Sequence, residues 1–332
     1  MGLMRRCIVA TLIVAFVLLA LPASAGTITD RERAKAGAAF LTTMQKPNGS
    51  IPAFSPIGST ADAVLAFVAA RAARGAQGDA VAYLRAQIRR GNVTGVGLVA
   101  KVVQAAVAAG RDPRSFGGEN LVRWLRSRIR DDGHIGNSAI FDDALAVLAL
   151  EAAGLQPSKN VTGWLLGAQC PAGGWSYDAP YDPDTDDEVC FDGSEDDVFS
   201  ADTNTTAYAV MALEHAGRDA YGTSPFPFFA GARDKTHGGW EYAPGFGTDA
   251  NSTALVIQAY LSAGRAIPSG GLAALRALQP DVGCGAWAYN YEGDVPGAPN
   301  VGATIGAVPA VVRTFLPLLP TEGAARERSR GC

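Results

Sequence analysis

The sequence predicts an all-α fold, an (α/α)6 toroid whose six helical hairpins close into an inner and an outer ring. Three observations carry that prediction. One phrase recurs: Gln169-Cys170-Pro171-Ala172-Gly173-Gly174-Trp175-Ser176-Tyr177, then His237-Gly238-Gly239-Trp240-Glu241-Tyr242, then Cys284-Gly285-Ala286-Trp287-Ala288-Tyr289. A polar phrase follows the first two, Asp202-Thr203-Asn204-Thr205-Thr206-Ala207 and Asp249-Ala250-Asn251-Ser252-Thr253-Ala254, and each opens an Ala/Leu-rich run ending in Ala-Gly. Alternating strand patterns are nearly absent, and a spacing of about 40–45 residues suits one helical hairpin per copy.

Every copy has the same grammar. An apolar helical run ends near Gln or Arg, a Gly-containing turn follows, and a polar cap opens an Ala/Leu/Val helix that stops at Gly. Copy one reads Ala39 to Gln45, the turn Pro47-Asn48-Gly49, then Ser59-Thr60-Ala61-Asp62 and a helix to Gly75. Copy two reads Tyr83 to Gln87, the turn Gly91-Asn92, then Leu98 to Gly110. Copy three reads Trp124 to Arg128, the turn Asp132-Gly133, then Asp142-Asp143-Ala144 and a helix to Gly154. Copies four and five run from Trp164 to Gly217 and from Phe228 to Gly264. Copy six begins at Leu272 and closes through Thr304 and Ala310, with Pro309 and Pro317 as interruptions.

Asp, Ser or Thr before each run accepts a bond from the free N–H groups of the first turn. Terminal Gly takes the left-handed conformation that closes a helix. An open solenoid needs polar end caps, and neither end of this chain offers one. The second helices are rich in Ala and Gly, which suits close packing about a tight axis, so they are placed inside.

The chain has 332 residues, 48% hydrophobic and 18% charged, with net charge −4. Mild acidity without a Lys/Arg cluster in the body argues against nucleic acid as a partner. Arg5 and Arg6, an apolar run from Cys7 to Leu21 and the small-residue site Pro22-Ala23-Ser24-Ala25 predict a signal peptide over residues 1–25, cut near Ala25. The protein is then secreted or associated with the cell surface, without a stable membrane span. The toroid domain covers 26–320, with an acidic insertion at 178–199 and a flexible tail at 321–332. Cleavage leaves Cys170, Cys190, Cys284 and Cys332 as disulfide candidates. Cys170 with Cys190 would close the insertion, and Cys284 with Cys332 would tie down the tail.

Gln169 with Trp175, and Gln279 with Trp287, resemble the QW repeat of the terpenoid cyclase and protein prenyltransferase superfamily, which includes the squalene cyclases. The resemblance covers nearly the whole mature chain by period. Copy five has Arg233 for Gln, and the first three copies lack the Trp. It implies an α/α toroid. Class II cyclases of this superfamily carry Asp-x-Asp-Asp at the start of an inner helix; here the proton-donating position is Asn204 or Asn251, and an amide has no acidic proton to give. A literal Asp184-Thr185-Asp186-Asp187 lies in the acidic insertion instead. The prenyltransferase zinc set is not matched by His134, His215 and His237, and no Cys-x-x-Gln thioester motif is present.

Trp175, Trp240 and Trp287 read as structural aromatics folded back on their helix ends. Tyr177, Tyr242, Tyr289 and Tyr291 stand later in the turn, where they would line a cavity mouth. Asp202, Asn204, Asp249 and Asn251 read as helix caps that converge above an apolar pit if the ring closes. Those eight are the candidate ligand residues, joined by Asp142 and Asp143 from copy three. Asp143, Asp202 and Asp249 are the candidate acids for any catalysis. Asp182, Asp184, Asp186 and Asp187 are calcium candidates, against the simpler reading of a solvated acidic loop; no other cofactor is expected. The Asn-x-Ser/Thr triplets at Asn48, Asn92, Asn160, Asn204 and Asn251 read as caps and turns.

The leading expectation is a toroid that binds a small apolar or isoprenoid-like ligand without cyclase chemistry. The alternative is an enzyme using carboxylates at the inner-helix N-termini, either cyclase-like or a carbohydrate-active lyase or hydrolase. A third reading is an interaction module whose acidic loop meets a protein partner.

Overall fold

The computed structural model describes residues 28–136, 139–177 and 201–319. The expected signal peptide, the acidic insertion with its calcium candidates and Cys190, and the tail with Cys332 therefore lie outside the described residues. The described chain forms twelve helices, in chain order α1 (Asp30–Met44), α2 (Pro56–Ala70), α3 (Arg74–Arg89), α4 (Val96–Ala108), α5 (Leu121–Arg126), α6 (Ile140–Ala152), α7 (Lys159–Gly167), α8 (Thr203–His215), α9 (Pro225–Gly231), α10 (Ala250–Ser262), α11 (Gly271–Ala277) and α12 (Val301–Val311). The even-numbered helices pack in sequence, α2 on α4, α4 on α6, onward to α12, and α12 packs on α2. That last contact closes the ring. None of these helices is long and apolar enough to cross a membrane.

The inner helices are built for this crowding. α4 is Val96-Gly97-Leu98-Val99-Ala100-Lys101-Val102-Val103 followed by Gln104 and more Ala and Val, and α6 is Ala, Leu and Val from Ala144 to Leu150. Ala loses no side-chain entropy in a helix, and its small volume lets neighbours approach. Ser55, Asp202, Asp249 and Asn300 cap α2, α8, α10 and α12 by accepting from the N–H three residues on. The outer helices α5, α7, α9 and α11 are shorter, at 6 to 9 residues, whereas α1 and α3 run 15 and 16; Asn120 and Ser158 cap α5 and α7 in the same way.

The repeated phrase has a repeated job. Trp175, Trp240 and Trp287 are fully buried. Each indole Nε1 donates to a carbonyl of the preceding outer helix, Leu165, Phe229 and Leu275, at 2.7, 2.8 and 2.8 Å. Each backbone N–H donates to the hydroxyl of Thr206, Thr253 or Thr304, in the first turn of the following inner helix, at 2.8, 3.0 and 2.9 Å. Copy one keeps the scheme without a Trp: Ile51 N–H donates to Thr60 Oγ1 at 2.9 Å. In copy three Ile135 N–H goes to Asp143 Oδ1 at 2.8 Å. Short two-residue strands accompany this clasp. β1 (Trp175–Ser176) pairs antiparallel with β2 (Ala201–Asp202), and β3 (Trp287–Ala288) pairs with β6 (Pro299–Asn300). Between them β4 (Tyr291–Glu292) and β5 (Val295–Pro296) make a hairpin.

The Gln of the phrase joins one copy to the next. Gln45 Nε2 donates to Gly49 O within its turn and to Ala76 O of α3, both at 2.9 Å. Gln169 spans Gly173 O and Thr223 O at 3.0 and 2.6 Å. Arg233 substitutes in copy five, reaching Gly238 O and Ser269 O. Gln279 completes the circle, donating to Gly285 O at 2.9 Å and to Arg33 O of α1 at 3.2 Å. Arg276 grips Asp30 at the same seam through two bonds of 2.6 Å. Gly37 on α1 is needed there: a Cβ would lie 2.8 Å from the Trp287 ring.

Three local expectations are corrected. The first inner helix stops at Ala70 instead of running to Gly75, because Arg71 turns left-handed at φ 51 and its N–H closes on Phe67 O and Val68 O; Gly75 lies in α3. Pro309 does not interrupt the last helix, which continues to Val311. Asp143 is not a helix cap, since Ala139 occupies that place and Asp143 performs the Thr role of the other copies.

Because the Trp240 amide is buried with Thr253 as its partner, Thr253→Val should cost about 1–3 kcal/mol, the usual penalty for an orphaned buried donor. Urea denaturation measures it. A loss no larger than that of the exposed Thr43→Val control would show that the hydroxyl does not hold the turn.

Candidate functional site

Closure places a cavity of about 270 Å³ on the axis, lined by the inner helices. Its walls fall into three layers along the helices. Nearest the inner-helix N-termini are Ser59, Phe141, Asn204, Asn251 and Gly302, with Phe54 beside them. One turn further come Asp62, Lys101, Tyr208, Leu255 and Ile305; below these are Leu65, Gln258, Pro309 and Leu316. From Asn251 to Gln258 is seven residues of α10, about 10 Å of depth at 1.5 Å per residue. Phe54 stands 93% exposed at the rim, so the upper end is the mouth.

The middle layer carries the charge. Lys101 Nζ meets Asp62 Oδ2 at 2.6 Å, bridging α4 and α2. Burial works against the lysine's charge, but Asp62 foremost, then Tyr208 and Asp142, outweigh it and hold its pKa above the ordinary value. Lys101 is therefore a fixed cation at neutral pH. Burial pushes Tyr208 up to about 12, with Lys101 opposing and Asp62 adding to the shift, so its phenol stays neutral. The Tyr208 ring meets Phe141 edge-on at 5.0 Å, which fixes both on the wall. Asp142 lies behind Lys101 and takes the Gly97 N–H at the start of α4; burial is the main cause that raises its pKa. A Cβ at Gly97 would strike the Asp142 carboxylate, so only Gly fits that approach.

Of the residues singled out in the sequence, Asn204 and Asn251 line the cavity. Asn204 Oδ1 is buried with no hydrogen-bond partner. Asp202 and Asp249 are true helix caps, 4% and 3% exposed, with Oδ1 taken by Thr205 N–H and Ser252 N–H at 2.8 Å and Oδ2 unpartnered. Burial pushes Asp202 up to about 6 and raises Asp249. Neither is among the cavity-lining residues, because a cap and the residue two positions on point to different sides of a helix. Asp143 is 2% exposed and pairs with His134 Nε2 at 3.1 Å, the imidazole stacking on Trp164 at 4.1 Å. Burial pushes this carboxyl up to about 6 against the pull of His134.

The tyrosines serve the frame through their backbones. Tyr177 O, Tyr242 O and Tyr289 O accept from the N–H groups of Phe141, Thr203 and Ala250, closing the N-terminus of the inner helix one copy back. Tyr177 and Tyr289 are 47% and 37% exposed. Tyr291 stacks on His237 at 3.8 Å, where Asp234 accepts from the imidazole side at 3.1 Å. None of the four tyrosines is a lining residue. Among the described residues no cluster of three or more His, Cys, Asp or Glu side chains could hold a metal. Cys170 is buried and Cys284 is exposed; their expected partners, Cys190 and Cys332, lie outside the described residues.

Sequence reasoning missed Asp62, Lys101, Tyr208 and Gln258. Helical phase could have found two of these: Tyr208 is four residues after Asn204, and Gln258, like Leu255, falls on the face of Asn251, seven and four residues on. Lys101 is the one charged residue of α4.

Elsewhere on the inner ring Glu151 is 9% exposed, its Oε2 unpartnered, and burial pushes it up to about 8. The fold thus retains a proton that the unfolded chain releases from about 4.5. Stability should fall as pH rises from about 4.5 to about 8 and level off above. Asp143 and Asp202 add to the fall between 3.8 and about 6. Glu151→Gln should flatten the stretch from pH 6 to 8 in urea denaturation and exceed the parent's stability at pH 9. An unchanged slope there would clear Glu151 as its source.

No protein-family model and no curated protein sequence matches this chain. Solved structures do match in fold. The type II terpene cyclase MstE from Scytonema, in complex with geranylgeranyl dihydroxybenzoate, aligns at TM-score 0.57 and 15% identity, over 86% of this chain and 97% of that one. The alpha-1,6-mannanase GH76A of a Salegentibacter species, in complex with alpha-1,6-mannotriose, aligns at TM-score 0.57 and 12% identity, over 86% and 98%. A D-mannose isomerase aligns at 0.55 and 13%, over 88% and 99%. The structural neighbours thus include a terpene cyclase and carbohydrate-active enzymes, and the chain has the terpenoid cyclase-like α/α-toroid fold.

Proposed function

We propose that the protein binds one small, largely apolar, isoprenoid-like molecule in the axial pit and does so without cyclase chemistry. The observation that carries this reading is the pair of amides at the mouth, Asn204 and Asn251, over a wall dominated by Leu65, Phe141, Leu255 and Ile305. Among the described lining residues Asp62 is the one carboxylate, and it is bound to Lys101. The terpene cyclase neighbour, whose bound substrate bears a geranylgeranyl group, lends the ligand class.

The mannanase neighbour suggests carbohydrate chemistry instead. Glycosidases use two carboxyl groups roughly 5–9.5 Å apart across the scissile bond, and the lining of this pit supplies one. The cavity also lies near the lower edge of the ~300–1,000 Å³ typical of small-molecule sites, too small for a polymer segment. Binding is therefore preferred over turnover. Export after cleavage near Ala25, a Cys170–Cys190 bridge and a solvated acidic loop at 178–199, open to calcium or a protein partner, complete the proposal.

Gly302 offers the test. It sits in α12 at the mouth, and a Cβ there would meet nothing closer than 3.4 Å, so Gly302→Leu fills the entrance while improving helix propensity by roughly 0.5–1 kcal/mol. Protein purified from its host should carry a retained small molecule in native mass spectrometry, or take up geraniol. Gly302→Leu should lose that mass and keep its melting temperature. Uptake that survives the substitution would place the ligand elsewhere.

A further inference from the structure

The middle layer of the pit sets the polar group that a guest must carry, granted the binding reading above. Lys101 of α4 and Asp62 of α2 meet there at 2.6 Å, Nζ donating to Oδ2. Both line the cavity, and their side chains keep 20% and 28% of their surface exposed. The pair is therefore an open part of the wall, unlike the buried capping carboxylates Asp202 and Asp249. The rest of the layer is mainly apolar: Leu255 belongs to α10, opposite α4 in the ring, and Ile305 to α12, next to α2. The bond within the pair uses one of three ammonium N–H groups and one of two carboxylate oxygens. Among the described residues neither side chain makes another hydrogen bond, and Asp142, behind Lys101, is engaged with the Gly97 N–H. A guest that covers the pair strips solvent from a donor and an acceptor, a cost recovered only where the guest supplies both partners.

We infer that the Asp62–Lys101 pair is the recognition point of the pit, and that it selects a neutral group able to donate and accept at once: a hydroxyl or primary amide on an apolar body. A hydroxyl accepts from the Lys101 ammonium through its oxygen and donates to the Asp62 carboxylate, so both ions gain a partner without separating. An ether accepts only, and leaves the carboxylate stripped of solvent with nothing in return. An alkylammonium donates only; it strands the remaining Lys101 N–H groups and adds a second positive charge at close range. A carboxylate meets Asp62 as a like charge, with Asp142 adding to the repulsion. The ion pair thus rejects both signs of charge and every group with half of the hydrogen-bonding pattern.

Four probes test the inference, since geraniol, geranyl methyl ether, geranylamine and geranic acid share one hydrocarbon chain and differ in the polar group. Calorimetry at pH 7 should show geraniol bound about tenfold more tightly than the other three, the worth of one buried hydrogen bond. Asp62→Leu combined with Lys101→Met replaces the pair by apolar side chains, an exchange that is often neutral for stability. In that variant geraniol and the ether should bind alike. Asp62→Asn alone, which serves if the double variant does not fold, leaves the ammonium without its carboxylate and should make geranic acid the tightest of the four. A purely structural role for Asp62 would not redirect the preference in this way. Equal binding of the four, a tighter ether, amine or acid in the parent protein, or a geraniol preference that survives both variants overturns this inference and leaves the occupied pit standing. Binding of none of the four removes the pit-binding reading and this inference together.

Discussion

A ring of hairpins holds only if its last unit meets its first as well as any unit meets its neighbour, and here one repeated side-chain clamp does both. Gln45 and Gln169 tie their own turn to the backbone of the next copy. Gln279 makes the same reach across a sequence distance of 246 residues, to Arg33 on α1. The Asp30–Arg276 pair strengthens that seam beyond the others, and Gly37 removes the side chain that would keep Trp287 out. Each fully buried indole withdraws roughly 150–250 Å² from water, an upper estimate of about 4–6 kcal/mol at ~25 cal/mol per Å². Those gains exist only once both N–H groups of each Trp have partners, an inner-helix threonine hydroxyl for the backbone and an outer-helix carbonyl for the indole. Closure, clasp and burial are one cooperative arrangement.

The axial cavity is a by-product of that arrangement put to use. Since five of the six turns are clasped to the first turn of an inner helix, those inner N-termini come to one end. Their caps then compete for space with whatever faces the axis. Asp202 and Asp249 are spent on N–H groups behind the wall, and the residues two places on, Asn204 and Asn251, receive the inward positions.

Much of this was legible in the amino-acid order. The Gln-to-Trp phrase marks turns that must fold back on their helices, and the Asp/Asn caps mark where the next helices begin. Copies one to three were legible only by period, because Ile51 and Ile135 stand where an indole would, and Asp143 stands in for threonine. A buried aspartate in the first turn of a helix resembles a cap in sequence; only the position of the Ile135 amide reveals its other partner. The Asp62–Lys101 pair was illegible for a different reason. Its members lie on separate helices, 39 residues apart, and each side chain alone reads as an ordinary exposed charge on a helix. Their meeting follows from ring curvature, which periodicity does not encode.

The chemistry of the pit turns on where protons can be held. Asp202 and Asp249, though raised in pKa by burial, are engaged through one oxygen and screened from the axis by their own helices. On the axis itself stand amides, a neutral phenol and the Lys101–Asp62 ion pair. A carbocation formed there would also face Lys101, whose fixed positive charge repels it at close range in a medium of low polarity. Under the proposed binding reading, the amides and the fixed cation among the described lining residues both disfavour cyclisation. The frame is set by the clasp and the chemistry by the few side chains that face inward, so one fold can serve unrelated functions.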